Sequence, residues 1–573
     1  MKTFTQLVKN LKNDFSKLKS IKIAVLGDSA TQFLTQALRG TGYEYGFDLR
    51  IWEADFNQVE RQVFDANSEL FAYEPEIVII FQSSHKLLAK YNKMKPGEQG
   101  TLADSQMALI DGIASSIGSN LNAKIIYYNY SEIDDSVFGN YANKLESSFL
   151  FQLRKLNYEL MQYSVSHAGF YLCEVSSIQN LVGKGVYFQT SVYINTEMVI
   201  SLDVLPAIAS KTLDLIAAMN GRVNKCLILD LDNTMWGGVI GDDGIENIQI
   251  GSLGIGKAFT EFQYWIKKLQ NRGIILAICS KNTESVAKDP FINHPDMVIR
   301  LDDIAVFVAN WDNKADNIRL IQSILNIGFD SMVFLDDNPF ERNIVRENIP
   351  GIIVPELPED PADYLEYLYT LNLFETVSYS NEDSERTKQY QVEAQRSIMQ
   401  KSFTNEDDFL KSLNMVSLVE PFSKFNTPRV AQLSQRSNQF NLRTVRYTES
   451  DIEVISASDN FLTFAFTLED KFGDNGLICV IILKKEGDRS LFIDTWFMSC
   501  RVLKRGMENF VLNTLVNRGL QKGFRTLKGE YIPTSKNGMV EDHYKGLGFV
   551  FRDGYWMLDL EAYSDRTTFI KEK

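Results

Sequence analysis

The sequence predicts a multidomain α/β chain, with two doubly wound units in succession and an α+β unit after them. Three observations carry this expectation. The chain has 573 residues, and at roughly 150 residues per domain that length implies three or four domains. Two successive blocks alternate short, fully apolar runs with helical patterns, as parallel strands covered on both faces do. Beyond them, longer strand-like runs follow one another before a single long helix.

Residues 1–20, MKTFTQLVKNLKNDFSKLKS, place Phe4, Leu7, Leu11, Phe15 and Leu18 at helical spacing. This predicts an amphipathic N-terminal helix, docked on the fold or lying on a membrane surface. The stretch has no apolar h-region and does not read as a signal peptide. No apolar run approaches the ~18 residues of a membrane span. Residues 21–221 form the first α/β unit, with strands expected at IKIAVLGD (21–28), EIVIIF (76–81) and AKIIYYNY (123–130). Residues 222–373 form the second, with strands at KCLILD (225–230), GIILAICS (273–280), MVIRL (297–301), SMVFLDD (331–337) and GIIVPELP (351–358). A charged helical linker covers 374–412. The α+β unit, 413–573, offers strands at VSLVEPF (416–422), FLTFAFTLED (461–470), GLICVIILKK (476–485) and SLFIDTWFMS (490–499), then a helix over 506–523.

Apolar residues make up 45% of the chain, enough for several cores. A net charge of −15 argues against nucleic acid and anionic membranes as general partners. The five cysteines, Cys173, Cys226, Cys279, Cys479 and Cys500, are scattered without a C-x-x-C pair. That usage fits a reducing cytoplasm rather than a disulfide framework.

The chemistry concentrates at strand ends in the second unit. LILDLDNTMWGGVIGDDG (227–244) ends an apolar run in Asp230, with Asp232 two residues on. GIILAICS ends in Ser280, and SMVFLDD ends in Asp336 and Asp337. The carboxyl ends of parallel strands line one crevice, so four carboxylates and a hydroxyl converge there. Their mutual repulsion and desolvation point to a divalent cation, and an oxygen-only donor set suits Mg²⁺. Lys314, in WDNKADNI (311–318), adds a positive charge at the same mouth. One such aspartate alone would be a turn or helix cap; the ordered set D-x-D, Ser, Lys, DD is not explained that way.

This ordered set resembles the haloacid-dehalogenase superfamily of phosphotransferases. The resemblance implies that Asp230 is the nucleophile that becomes an aspartyl-phosphate, and that Asp232 is the general acid and then the base for water. It implies that Ser280 hydrogen-bonds the phosphoryl oxygens and Lys314 neutralises developing charge. Asp336 would bind Mg²⁺ with Asp230 and the main-chain carbonyl of Asp232, with Asp337 as the alternative ligand or a supporting carboxylate. Between Asp232 and the next helix, near Lys257–Leu269, lies only a glycine-rich flap, too short for a cap domain. A site so open requires closure by another domain, or a macromolecular substrate that covers it.

The wording is narrower than the superfamily. LDLDNTMWGGVIGDDG, CSKN (279–282), WDNKADNI and LDDNPFERN (335–343) resemble the FkbH-like family, and QLSQRSNQFNLRTVRYTE (432–449), DKFGDNGLICV (470–480), IDTWFMSCRVLKRGMEN (493–509) and YIPTSKN (531–537) continue the likeness. It covers roughly residues 222–563. It implies a bifunctional enzyme that takes a phosphoglyceryl unit from an acyl phosphate, holds it as a thioester, removes the phosphate and passes glyceryl to an acyl carrier protein. The third unit resembles the GNAT acyltransferase fold. There Arg501, Lys504, Arg505 and Gly506 would cradle the phosphate of a pantetheine or CoA-type thiol. Lys504 stands where the family more often has glycine; if that position needs positive φ, lysine is strained there. Cys500 precedes this turn, either as the acyl-carrying thiol or as a structural cysteine. His543 is read as an acid–base group of acyl transfer or as a surface residue.

LGDSATQFLTQAL (26–38) resembles the G-D-S block of SGNH hydrolases, with Ser29 as nucleophile. None of His85, His167, His294 and His543 has an aspartate three residues before it. An SGNH-like or flavodoxin-like unit without hydrolase activity, serving as a lid or docking surface, is therefore expected. The alternative for the whole chain is a phosphatase for another phosphorylated metabolite or surface-polysaccharide precursor, whose flanking units only recognise it.

Overall fold

The branched apolar run that contains Ile21, Ile23 and Val25 forms an interior strand of a parallel sheet. In the computed structural model, residues 2–379, 386–400, 403–499, 502–534 and 536–573 are described. Among them, three sheets are divided between two units, Met1–Ala217 and Ala218–Lys573. No helix among the described residues is long and apolar enough to cross a membrane.

The first unit contains β1 (Lys19–Gly27), β2 (Phe47–Glu53), β3 (Ile77–Phe81), β4 (Lys124–Tyr128) and β5 (Phe170–Cys173). They pair in parallel in the order β2-β1-β3-β4-β5. This is the order of flavodoxin-like doubly wound sheets. The sequence reading found the three central strands and missed the two at the edges. β2 interleaves Asp48, Arg50 and Glu53 with its apolar residues, and β5 has only four residues. Neither gives the continuous apolar run of a strand buried on both faces.

The N-terminal helix is shorter than its apolar periodicity predicts. It spans Phe4–Asn10, with Thr3 and Gln6 forming a capping box. Asp14 then accepts the Ser16 N–H at 2.8 Å, and β1 begins at Lys19. The spacing of Phe15 and Leu18 therefore belongs to a turn and a strand approach. Leu7 is buried where Gly40, on the helix Gln32–Glu44, lets the two helices touch: a Cβ at residue 40 would stand 2.3 Å from the Leu7 carbonyl oxygen.

In the second unit, β6 (Cys226–Leu229), β7 (Ile275–Ser280), β8 (Ile304–Ala309) and β9 (Met332–Leu335) form a parallel sheet in the order β8-β7-β6-β9. Two expected strands are corrected. Residues 297–301 are not a strand, because the Val298 and Ile299 N–H groups donate to the Gln263 side chain at 3.0 and 3.2 Å instead of to a ladder. The strand lies just beyond, at β8. Residues 351–358 make a single bridge, Val333–Ile353. Pro355 and Pro358 follow, and they lack the N–H groups a longer pairing needs.

The third sheet is mixed. It contains β10 (Val416–Ser417), β11 (Val419–Glu420), β12 (Phe461–Asp470), β13 (Gly473–Glu486), β14 (Ser490–Met498), β15 (Thr526–Gly529), β16 (Val550–Arg552), β17 (Tyr555–Asp559) and β18 (Lys571–Glu572). The path is β16-β17-β15-β14-β13-β12-β10-β18, with β11 on β12. β14 and β15 are parallel, and their pairing stops at Ile493–Gly529. Past that point Phe440–Leu442 lies beside β14: Leu442 N donates to Trp496 O at 3.2 Å, and Met498 N donates to Phe440 O at 3.1 Å. The helix Met507–Gln521 covers this sheet through Phe510, Val511 and Leu515.

Gly40→Ala should destabilise the first unit by about 1–3 kcal/mol, the usual range for overpacking. Chemical denaturation measures it; a variant as stable as the parent would contradict the close approach of the two helices.

Candidate active site

Two neighbouring strands set the centre. β6 and β9 pair in register, Leu229 opposite Leu335, and the Asp230 N–H continues the ladder to Leu335 O at 3.0 Å. The next residues, Asp230 and Asp336, thus leave adjacent strand ends together. Asp230 is 7% exposed and Asp336 fully buried. Lys314 reaches them from the first turn of the helix Lys314–Leu325, whose cap is Asn313 accepting the Ala315 N–H. Its Nζ lies 2.9 Å from Asp230 Oδ1 and donates to Asp336 Oδ2.

Burial alone would pull the Lys314 ammonium down, but the Asp230 and Asp336 charges more than offset this and hold it above its ordinary value. Asp336 is pushed upward by burial first and the Asp230 charge second, with Lys314 opposing both. Asp337 is raised for the same two reasons in the same order. Carboxylate oxygens of Asp230, Asp336 and Asp337 lie within 4.8 Å of one another. Three crowded oxygen donors, two of whose pKa values are raised, fit a hard divalent cation such as Mg²⁺.

Asp232 is held differently. Trp236 Nε1 and Ile240 N donate to its Oδ1 at 3.1 and 3.0 Å, and Asn282 Nδ2 donates to its Oδ2 at 2.8 Å. Asn282 also reaches Ser280 Oγ at 3.3 Å, so Ser280, Asn282 and Asp232 form one hydrogen-bonded chain. Both partners lie in stretches singled out by the sequence, yet their part in holding Asp232 was not read there. The signal available was position: Asn282 follows Ser280 by two residues, and Trp236 follows Asp232 by one helical turn.

The flap begins with Asn233 at φ +52° and Gly238 at φ +96°. At Gly238 a Cβ would stand 2.6 Å from Asp243 Oδ2. Gly237 and Gln249 exchange backbone hydrogen bonds at 3.0 and 2.8 Å and close the base of the flap around the short helix Ile240–Asp243. The following helix starts at Gly254, three residues earlier than the sequence suggests.

Of the residues expected to bind a thiol's phosphate, Lys504, Arg505 and Gly506 lie elsewhere in the second unit, on the turn before the helix Met507–Gln521. Cys500 and Arg501 lie outside the described residues. Lys504 is exposed at φ +63°, the strained conformation that its departure from glycine anticipated, and Gly506 caps the helix at φ +74°. Arg505 is buried. Its guanidinium is 3.1 Å from Asp470 Oδ2 and also pairs with Glu393, so two carboxylates engage the fork that a phosphate would need. His543 is not a surface residue: its ring stands edge-on to Trp496, with centroids 4.6 Å apart, and burial pushes it down to about 3. Cys279 packs in the sheet, and burial pushes its thiol up to about 12.

In the first unit Ser29 is 1% exposed, and among the described residues no hydrogen bond joins it to a histidine. Its neighbour Asp28 accepts the Ser83 N–H. His85 is stacked on Phe188 with centroids 3.9 Å apart.

Residues 22–217 match the family model described as FkbH, N-terminal domain. A crystal structure of the N-terminal part of the Bacteroides fragilis protein BF1531, containing a phosphatase domain and complexed with Mg, is 57% identical. It covers 66% of this chain and 100% of its own, with a TM-score of 0.64. The chain belongs to the FkbH-like phosphatases. Two acetyltransferase structures overlap this FkbH-like phosphatase more slightly. The Escherichia coli ribosomal-protein-S18-alanine N-acetyltransferase is 15% identical, over 26% of this chain and 98% of its own, at TM-score 0.20. The GNAT domain of S. lividans PAT is 16% identical, over 25% and 89%, also at 0.20. Overlaps this slight assign no fold to the third sheet. No curated protein matches the chain.

Trp236→Phe keeps the ring but removes the donor to Asp232. Steady-state hydrolysis of a small phosphoester should show kcat lowered about tenfold, the scale of one hydrogen bond to a charged group, with KM little changed. A shift in KM alone would contradict the role given to Trp236.

Proposed function

We propose that this phosphatase is a Mg²⁺-dependent enzyme that acts through Asp230 and, with its C-terminal residues, loads a glyceryl-like unit from an acyl phosphate onto an acyl carrier protein. The observation that carries the phosphatase half is the buried Lys314 ammonium between Asp230 and Asp336, beside a separately clamped Asp232. Asp230 forms the bond to phosphorus while the leaving oxygen departs and takes its proton from Asp232. Asp232 then takes a proton from the water that cleaves the aspartyl-phosphate. Its three donors hold the carboxyl plane through both steps. Ser280 and Lys314 receive the phosphoryl oxygens. Asp230, Asp336, Asp337 and the Asp232 carbonyl would hold Mg²⁺, which supplies charge neutralisation at the phosphoryl group.

The short flap supports a substrate tethered to a larger body, and a carrier-bound acyl group has that form. The domain divisions 21–221, 222–373 and 413–573, with 374–412 as a linker, belong to this reading, as does a cytoplasmic setting. Within it, Cys500 is the thiol that takes the acyl group from the acyl phosphate, forming a thioester and releasing inorganic phosphate. A pantetheine or CoA-type thiol collects the product. The first unit, with Ser29 enclosed and lacking a histidine partner, serves as a docking or covering element.

A second reading keeps the phosphatase, gives it another phosphorylated metabolite or polysaccharide precursor, and leaves the flanking units to recognition. Two observations favour it: Phe440–Leu442 occupies the edge of β14 beyond β15, and Arg505 is engaged by Asp470 and Glu393.

Intact-mass spectrometry after incubation with a phosphorylated acyl phosphate and Mg²⁺ separates the readings. Asp230→Asn should lose phosphatase turnover by a factor on the order of 10⁴ and retain a phosphorylated adduct on Cys500; Cys500→Ser should show none. EDTA should stop the wild type, and Mg²⁺ should restore it. An adduct on another cysteine, or transfer at full rate by Cys500→Ser, removes the thioester role. An active Asp230→Asn removes the assignment of Asp230 as nucleophile.

A further inference from the structure

The end of β9 is held by a side chain that takes no part in the steps above. The pairing of β9 with β6 ends at Leu335 opposite Leu229, so the carbonyls of Asp336 and Asp337 lie past the ladder. Asn338 then caps the helix Pro339–Asn348. Arg342 N donates to Asn338 O at 3.1 Å and closes its first turn. Side chains on a helix lean towards its N-terminus, so Arg342 reaches back over the cap to the strand end. It is 4% exposed. Its Nη1 donates to Asp336 O and to Asp337 O, both at 2.7 Å.

The rest of the guanidinium is anchored in the opposite direction. Nε and Nη2 each lie 2.9 Å from Glu356 Oε2. Arg346, one turn further along the same helix, pairs with Glu356 Oε1 at 2.5 Å and donates to Val354 O at 3.1 Å. The Glu356 side chain is 59% exposed, and ion pairs at such positions add little stability. What this anchor does is fix the plane of the guanidinium, and so aim Nη1 at the two carbonyls. Only arginine presents donors on both edges of one rigid plane.

A peptide unit is planar. Holding Asp336 O fixes the plane between residues 336 and 337, and holding Asp337 O fixes the plane between residues 337 and 338. The Cα of Asp337 therefore stands between two fixed planes, and the Cα of Asp336 adjoins one of them. The same turn is tied twice more: Asn338 N donates to Asp336 Oδ1 at 2.8 Å, and Asp337 N donates to Thr234 Oγ1 at 3.1 Å. The carboxylates so directed are the two that bring oxygens within 4.8 Å of each other and of Asp230. Mg²⁺ demands near-ideal octahedral geometry, so the directions of these carboxylates decide how well it is held.

We propose that Arg342 is a positioning residue for the metal: through two main-chain carbonyls it sets the directions in which the Asp336 and Asp337 carboxylates meet Mg²⁺. The inference rests on the reading of those carboxylates as Mg²⁺ ligands.

The test titrates Mn²⁺, a hard divalent stand-in, into the metal-stripped full-length chain and reads free Mn²⁺ by electron paramagnetic resonance. Arg342→Lys keeps the charge and loses the fork; it should weaken Mn²⁺ binding about tenfold, the lower end of the range for partners that orient metal ligands, with the number of sites unchanged. Arg342→Met should weaken it further. Glu356→Gln, at an exposed position, should weaken it a few-fold without lowering the unfolding temperature. An arginine that only stabilised the fold would instead lower the unfolding temperature and the number of competent sites, and the folded fraction would keep its affinity. Wild-type affinity in Arg342→Lys, or a loss of sites at wild-type affinity, overturns the proposal. Where Arg342→Met does not fold, Arg342→Lys and Glu356→Gln decide. Asp336→Asn should abolish the site; if it binds Mn²⁺ as wild type does, the ligand reading itself is wrong and this inference falls with it.

Discussion

A lysine ammonium buried between two carboxylates is the interaction on which the catalytic half of this molecule rests. β6 and β9 are neighbours in register, so Asp230 and Asp336 leave the sheet side by side, out of water. Two such charges cannot remain ionised together without a counter-charge. Lys314 supplies it from the first turn of the helix after β8, a strand separated from β6 by β7. Its long side chain spans that separation and is itself 2% exposed. Removing one partner from such a buried group typically costs about 3–5 kcal/mol, because the others are left uncompensated. The same crowding makes the site receptive to a divalent cation, whose charge would add to that of Lys314 in relieving Asp336 and Asp337.

Asp232 lies only two residues from Asp230 and has a different electrostatic setting. Its partners are an indole, a backbone amide and a carboxamide, all neutral donors. One carboxylate is tied to a full positive charge and the other to neutral donors, the difference in setting that the proposed roles of nucleophile and proton carrier require. The flap contributes through Ile240, whose N–H is one of these donors. The positive φ at Asn233 and Gly238 bends the chain so that this amide returns to Asp232.

Much of this was legible in the sequence, for a physical reason. A strand buried on both faces must be a continuous apolar run, and a carboxylate at its end is conspicuous. β1, β3, β4, β6, β7 and β9 were visible on that basis, as were Asp230, Asp336 and Lys314. Edge strands need no such run, and β2, β5 and β8 were missed or displaced. The N-terminal helix was overextended because Phe15 and Leu18 keep a helical spacing that the Asp14–Ser16 turn interrupts. Asn282 and Trp236 stood inside the motifs, but their hydrogen bonds to Asp232 depend on how the flap folds back. In the C-terminal residues the sequence showed a basic turn but not Asp470 and Glu393, which lie far away in the chain and engage Arg505.

The most direct test is to stop the reaction after its first chemical step. Asp232→Asn places a carboxamide among the same donors and removes the group proposed as the base for water. Rapid quenching of this variant with Mg²⁺ and p-nitrophenyl phosphate, whose leaving oxygen departs without a proton from Asp232, followed by tandem mass spectrometry, should locate an acid-stable, base-labile phosphoryl group on Asp230. A phosphoryl group on any other residue, or Asp232→Asn turning over at the wild-type rate without an intermediate, would contradict the account.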